Sequence, residues 1–201
     1  MGAAPAEFFG AGSDQIQRYV DLLLSRGIDW GLMGPREGER IWERHVLNCA
    51  ALAPLIPQDS TVVDIGSGAG LPGIPLAVLR PDLQVTLVES MARRTAFLDL
   101  AVAELELSSR VEVVRSRAEE HPGRYDVVTS RAVAALPRLL GWCVPLMKPQ
   151  GRVLALKGSS VHEELAQAAS DLRRLKLKAT VHELSVPVCG EQSWALEAWR
   201  A

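Results

Sequence analysis

The 201-residue chain is poor in the residues that build metal centres, disulfide frames and stacking platforms. Its three cysteines, Cys49, Cys143 and Cys189, contain no Cys-x-x-Cys spacing. An odd, scattered set of this kind excludes a disulfide scaffold and reads as reduced, packed thiols. His121, His162 and His182 lack the intervals of a zinc site, so no metal is expected, and His45 falls on an apolar helix face as a core histidine. Aromatic residues make up 5% of the chain, so Trp30, Trp42, Trp142, Trp194 and Trp199 are expected as core or hairpin side chains rather than as a row of base-stacking rings. No apolar run reaches about 18 residues, which excludes a membrane-spanning helix, and no charged-then-apolar leader is visible; a cytoplasmic protein is expected. The net charge of −2 lacks the bulk signature of a nucleic-acid binder, so any such role must rest on local patches.

What is present is an ordinary globular composition, 48% hydrophobic and 23% charged, enough for one full core and a modest appendage. Residues 1–12 are small and glycine-rich and expected to be loose. A helix capped by Ser13 or Asp14 carries Ile16, Tyr19, Val20, Leu23 and Leu24 on one face. A second places Ile41, Trp42, His45, Val46, Cys49 and Leu52 together and ends before Pro54. From residue 61 strands alternate with helices: strands at 61–65, 84–89, 111–116, 125–130 and 151–156, helices near 72–80, 91–106, 133–147 and 160–175. That order means a parallel sheet covered on both faces. Two further strands, 177–186 and 193–200, enclose Val188-Cys189-Gly190-Glu191-Gln192 and suit a hairpin that adds an antiparallel strand. The expected division is an N-terminal helical extension, 1–57, packed on a main domain, 58–201.

The most informative stretch is Val62-Val63-Asp64-Ile65-Gly66-Ser67-Gly68-Ala69-Gly70-Leu71-Pro72-Gly73. A buried strand turns through glycines into a helix, a corner that offers backbone N–H groups and close approach to a ligand. The next strand ends in Glu89, about twenty residues on, where a carboxylate can grip a ribose. Gly68-Ala69-Gly70-Leu71-Pro72-Gly73 matches G-x-G-x-x-G and would suggest NAD. Asp64-Ile65-Gly66-Ser67-Gly68-Ala69-Gly70 instead fits the acid-x-Gly-x-Gly-x-Gly pattern of S-adenosylmethionine enzymes. Asp64 would repel a pyrophosphate but accept from an ammonium group, Gly66 follows the strand directly, and the first strand lies behind a long helical preamble. All three favour S-adenosylmethionine, while an NAD oxidoreductase and a non-catalytic cofactor-binding partner protein stay open.

Arg44-His45, the stretch from Asp64 to Pro75, Arg117-Ala118-Glu119-Glu120, Ser130-Arg131-Ala132 and Ala155-Leu156-Lys157-Gly158 together resemble the RsmG family, also called glucose-inhibited division protein B. The resemblance covers about residues 15–200 and is most specific at Leu71-Pro72-Gly73-Ile74-Pro75 and Ser130-Arg131-Ala132. It implies a Rossmann-like class I S-adenosylmethionine-dependent methyltransferase: a seven-stranded, mostly parallel α/β sheet with the last strand antiparallel, acting on guanine N7 of 16S rRNA in the small ribosomal subunit. It further implies Gly66 and Leu71 at the methionine and ribose side of the cofactor, Glu89 at the ribose, Ala118 and Glu119 at the adenine, and Arg131 at the reactive end. Asp64 and Gly68 belong to the same cofactor motif. Two places depart from the family pattern, Trp30-Gly31-Leu32-Met33-Gly34 and Gln192.

The residues suit that chemistry. Guanine N7 has an in-plane lone pair and attacks without losing a proton, so alignment replaces a general base. No Ser-His-Asp triad, Pro-Pro-aromatic motif or Pro-Cys nucleophile stands after the fourth strand. Arg131 is the expected catalytic residue, hydrogen-bonding guanine O6 or a phosphate because arginine matches the O6/N7 edge, with an ion pair to a strand-end acid such as Asp64 as the plain alternative. Arg93, Arg94 and Lys157 are the expected RNA contacts. Arg36, Arg40 and Arg44 form one basic helix stripe, and with Glu37, Glu39 and Glu43 interleaved Arg36 and Arg40 read as part of a salt-bridged helix.

Overall fold

A computed structural model of the chain describes residues 5–34, 36–131 and 134–201. Seven strands form one sheet: β1 (Thr61–Ile65), β2 (Gln84–Glu89), β3 (Val111–Arg115), β4 (Tyr125–Arg131), β5 (Met147–Lys157), β6 (Leu177–Ser185) and β7 (Gln192–Arg200). Their order is β3-β2-β1-β4-β5-β7-β6, with β1 to β5 parallel and β7 antiparallel to both β5 and β6. The sheet is the expected one, and the order reverses between β1 and β4, where open α/β sheets bind ligands at the strands' carboxyl ends.

Consecutive apolar residues in a strand point to opposite faces, which divides the core in two. Val62, Val85, Leu87, Val127 and Leu154 pack with α1 (Ser13–Leu22), α3 (Gly73–Leu79) and α4 (Ala92–Glu104). Val63, Ile65, Val88, Val128 and Val153 pack with α5 (Leu136–Cys143) and with α6 (Val161–Gln167) on the other face. The last helix, α7 (Ala169–Leu175), follows α6 so that the expected 160–175 helix is divided at Ala168.

The N-terminal segment departs most from the expected regular helices. Pro5–Gly12 is a 3₁₀ segment with Ala6 and Phe9 buried, not a loose end; residues 1–4 lie outside the described residues. α1 widens into a π-helical turn at Leu23–Gly27, and Leu24, expected in its apolar face, is 39% exposed. The second helix is a composite: a 3₁₀ turn, Glu37–Arg40, a π-helical segment, Trp42–Leu47, and the short α2 (Asn48–Ala50). π-helical turns recur where a helix is re-aimed at a site, and this one carries Arg44 and His45. Ile16, Tyr19, Val46 and Cys49 from these elements enter the core shared with β1 and α3. Among the described residues no helix is long and apolar enough to cross a membrane, and no group of three metal-ligating side chains exists.

Candidate functional site

β1 ends at Ile65 and the chain reverses over the sheet's carboxyl edge through Gly66, Gly68 and Gly70, with φ of 69°, 58° and 99°. Such dihedrals cost L side chains steric energy, and at Gly70 a Cβ would also run into Ile74. The turn is tied down on three sides. Gly66 N–H donates to the Val88 carbonyl at 2.9 Å, Gly68 N–H to Glu89 Oε2 at 3.1 Å, and the Tyr19 hydroxyl to the Ala69 carbonyl at 2.7 Å. The last bond makes the N-terminal helix part of the site's foundation. Burial pushes the Tyr19 phenol well above its usual range, so it stays a neutral donor.

Three cavities meet along this edge. One, of about 490 Å³, is lined by Leu32, Met33, His45, Gly66, Leu71 and Arg131, with Gly68, Glu89 and Arg94 also in its wall. A second, of about 390 Å³, lies across Gly66, Glu89 and Ser90 and is walled by Ile65, Val88, Ala118, Glu119 and Trp142. The third and largest, about 780 Å³, joins the first at Arg131 and is lined by Arg40, Arg44, Asn48, Lys157, Glu164 and Glu191. Glu89 stands at the junction of the first two, 4% exposed, and also accepts from Met91 N–H at 2.9 Å.

The expected cofactor residues Gly66, Gly68, Leu71, Glu89, Ala118, Glu119 and Arg131 are thus brought to one pair of connected cavities. Asp64 is a correction. It is fully buried and lines none of the three; its Oδ2 accepts Gly73 N–H at 3.1 Å, and its Oδ1 has no partner. The loop folds over the strand end, so the carboxylate fastens the start of α3 instead of facing a ligand. Burial pushes its pKa up to about 7 against the opposing Gly73 hydrogen bond. The same bond counts against the dinucleotide reading, because a carboxylate holds the N–H that a pyrophosphate would need. The plain alternative for Arg131, an ion pair with Asp64, is not formed; Arg131 bonds His45.

The expected RNA contacts separate. Lys157 lies in the large cavity, paired with Glu164 at 2.7 Å. Arg94 turns to Glu89 at 3.6 Å on the cofactor side, and Arg93 is exposed outside all three cavities. Arg40, expected in a plain salt-bridged helix, and Arg44 of the same basic stripe line the large cavity; Arg40 reaches Glu191 at 2.9 Å, and Arg44 lies 3.9 Å from Glu37. Sequence reasoning placed His45 and Trp142 in the core, yet both are cavity walls. The only signal for His45 was its place after Arg44 in the family pattern. Cys143 is buried, its thiol pushed up to about 12 by desolvation, and so is no nucleophile. Of Ser130-Arg131-Ala132, Ala132 lies outside the described residues.

The model of the GidB family, described as rRNA small subunit methyltransferase G, matches residues 13–195. A ribosomal RNA small subunit methyltransferase G of Salinispora tropica is 55% identical over 183 residues, covering 87% of this chain and 76% of that protein. The one from Salinispora arenicola is 50% identical over 209 residues, covering 100% and 86%. Among solved structures, the S-adenosylmethionine-dependent methyltransferase SibL in its apo form has a TM-score of 0.63 at 18% identity, over 83% of this chain and 58% of that one, a likeness of fold. With the sheet order, the glycine turn and a match that runs from α1 into β7, the chain belongs to the GidB family of rRNA small subunit methyltransferases.

Proposed function

We propose that this chain transfers a methyl group from S-adenosylmethionine to N7 of a guanine in 16S rRNA of the small ribosomal subunit, guanine 527 in standard rRNA numbering. The observation that carries the reading is Arg131, which lines both the cofactor-sized cavity and the large basic one. The residues fit the cofactor. The apolar walls Ile65, Val88 and Ala118 beside Trp142 suit an adenine, the Glu89 carboxylate at the junction suits a ribose, and the wall from Leu71 to Arg131 suits the amino-acid end. Positive φ angles and the lack of a side chain let a ligand approach the backbone at Gly66 and Gly68. When bound, S-adenosylmethionine supplies an electrophilic methyl group on a sulfonium.

The chain's own groups then bind, orient and exclude water. Guanine N7 keeps its lone pair free of protons at neutral pH, so no side chain has to remove one. Arg131 donates to guanine O6 or to a phosphate, which leaves the N7 lone pair free for the methyl group and holds the base in line. Arg40, Arg44 and Lys157 supply positive charge for the flanking phosphates. The large cavity is roomy enough for a base taken out of its stack.

The test is transfer of labelled methyl from S-adenosylmethionine to small subunits lacking the modification. Incorporation at one guanine, recovered as 7-methylguanosine, is the expected result. Label in an exocyclic amine would overturn the N7 assignment. Binding of S-adenosylhomocysteine without transfer would support the non-catalytic reading, and tighter binding of NADH would restore the oxidoreductase.

A further inference from the structure

Between the cofactor cavity and the large basic cavity runs a hydrogen-bonded chain of three side chains. Arg131 Nη2 bonds His45 Nδ1, and His45 Nε2 lies 2.7 Å from Glu37 Oε2. Arg131 Nη1 adds longer contacts of 3.5 Å to the His45 carbonyl and to Cys49 Sγ. His45 and Arg131 are 86 residues apart, and the His45 side chain is 13% exposed. A guanidinium has only donors and a carboxylate only acceptors, so the imidazole between them has one consistent state. Its Nδ1 accepts from Arg131, and its Nε2–H donates to Glu37.

We propose that His45 is a positioning residue for methyl transfer: as a neutral imidazole protonated at Nε2, it anchors the Arg131 guanidinium that faces the guanine, and Glu37 sets its tautomer. The inference rests on the reading of Arg131 given above and deepens it. A long arginine left to itself samples many rotamers, whereas in-line attack tolerates little misplacement. Pinning one Nη on a rigid ring fixes the plane of the fork.

The groups facing the imidazole are Glu37 from the Glu37–Arg40 turn, Arg44 from its own π-helical segment and Arg131 from β4. Burial and the Arg131 charge hold the ring below its usual pKa, with Arg44 adding to them, while Glu37 opposes. Once doubly protonated, the ring has no acceptor left and must release the guanidinium. Methyl transfer therefore has an acid limb set by His45. Removing the Glu37 charge takes away the influence that favours protonation, so the limb in Glu37→Gln moves to lower pH.

The test compares His45→Gln with His45→Asn. The asparagine amide oxygen stands near the place of Nδ1 and can still accept from Arg131; the glutamine amide reaches the place of Nε2 and leaves Nδ1 vacant. Expected is a fall in kcat of about 100-fold for His45→Gln, with S-adenosylhomocysteine affinity kept within a few-fold, and recovery of at least about tenfold of that loss in His45→Asn. Equal losses in the two variants, or losses of cofactor affinity that match the loss of kcat, would overturn the proposal. Long-range ¹H–¹⁵N NMR of the wild-type protein gives a check independent of activity: an Nδ1-protonated or charged His45 at neutral pH overturns it, and the Nε2 tautomer supports it. Should the wild type transfer no methyl to small subunits, the proposed function fails by itself, and the NMR result still decides the state of His45.

Discussion

On the cofactor side of Arg131 the wall joins two stretches that are neighbours in the sheet, Gly66 to Leu71 in one turn and Glu89 at the end of the adjacent strand, to Leu32, Met33 and His45 from the N-terminal segment. On the other side it is assembled from Arg40, Asn48, Lys157, Glu164 and Glu191, and Arg40 and Glu191 are 151 residues apart. The floor of the first is a glycine turn, held by dihedrals that only glycine adopts at low cost. The second is largely charged side chain drawn from distant elements: Arg40 and Arg44 from the N-terminal segment, Lys157 from β5, Glu164 from α6 and Glu191 from the turn before β7. A cofactor of fixed shape suits a rigid backbone cradle, and a flexible polyanion suits adaptable cations. Mutations should therefore separate binding of the small molecule from action on the RNA.

The sharpest break of the first wall is Gly66→Val. At φ 69° a β-branched residue costs about 1–3 kcal/mol of backbone strain, and its side chain enters the space shared by both cofactor cavities. S-adenosylhomocysteine binding by calorimetry is expected to vanish while the melt remains cooperative; unchanged affinity would mean the cofactor does not sit on this turn.

Next in size is Arg131→Lys at the boundary. If Arg131 orients the guanine rather than holding the cofactor, lysine keeps the charge but not the planar fork, so methyl transfer should drop about 100-fold with cofactor affinity nearly intact. Parallel losses in both would move Arg131 to the cofactor side.

Asp64→Asn probes the foundation beneath the first wall. The carboxyl pKa rises from 3.8 to about 7 on folding, so the native state holds a proton that the unfolded chain lacks between those values. The stability contributed by this group is full below the lower value and lost as pH rises through the upper one. Asparagine can still accept from Gly73 N–H and never ionises. The gain of the variant over wild type in urea unfolding should thus grow between about pH 4 and about pH 7 and level off above. A gain independent of pH would mean that Asp64 ionises normally in the fold.

The smallest expected effect on the fold is Arg40→Ala. Its pair with Glu191 is about half exposed on both sides, so stability should change by no more than ~1 kcal/mol. If Arg40 meets a phosphate, RNA affinity falls and the slope of log K against log salt becomes shallower by about 1. An unchanged slope would return Arg40 to the plain ion pair that its interleaved glutamates suggested.

Much of the fold was legible because its signals are local. Val62-Val63 and Val85 to Val88 alternate between two buried faces, and β1 and β2 fall at the expected residues. Where several local rules compete, the reading failed. Pro137 and Pro145 limit α5 to Leu136–Cys143 and let β5 begin at Met147, earlier than the apolar run suggested. Helical periodicity was read correctly at Ile16, Tyr19 and Val20, but it assumes one pitch throughout, and the π-helical segments at Leu23–Gly27 and Trp42–Leu47 break that assumption.

By itself the sequence determined the parallel sheet, the terminal hairpin, the glycine turn after β1 and the acid at the end of β2. Each follows from contiguous residues whose sterics and burial leave few choices. Only the tertiary structure decided what lies around them. It buried Asp64 beneath the loop on Gly73 N–H, turned Arg94 to Glu89 and joined His45 to Arg131 across 86 residues. The physical reason is that backbone conformation is written largely in neighbouring residues, whereas the partner of a buried charge depends on which distant elements pack against it.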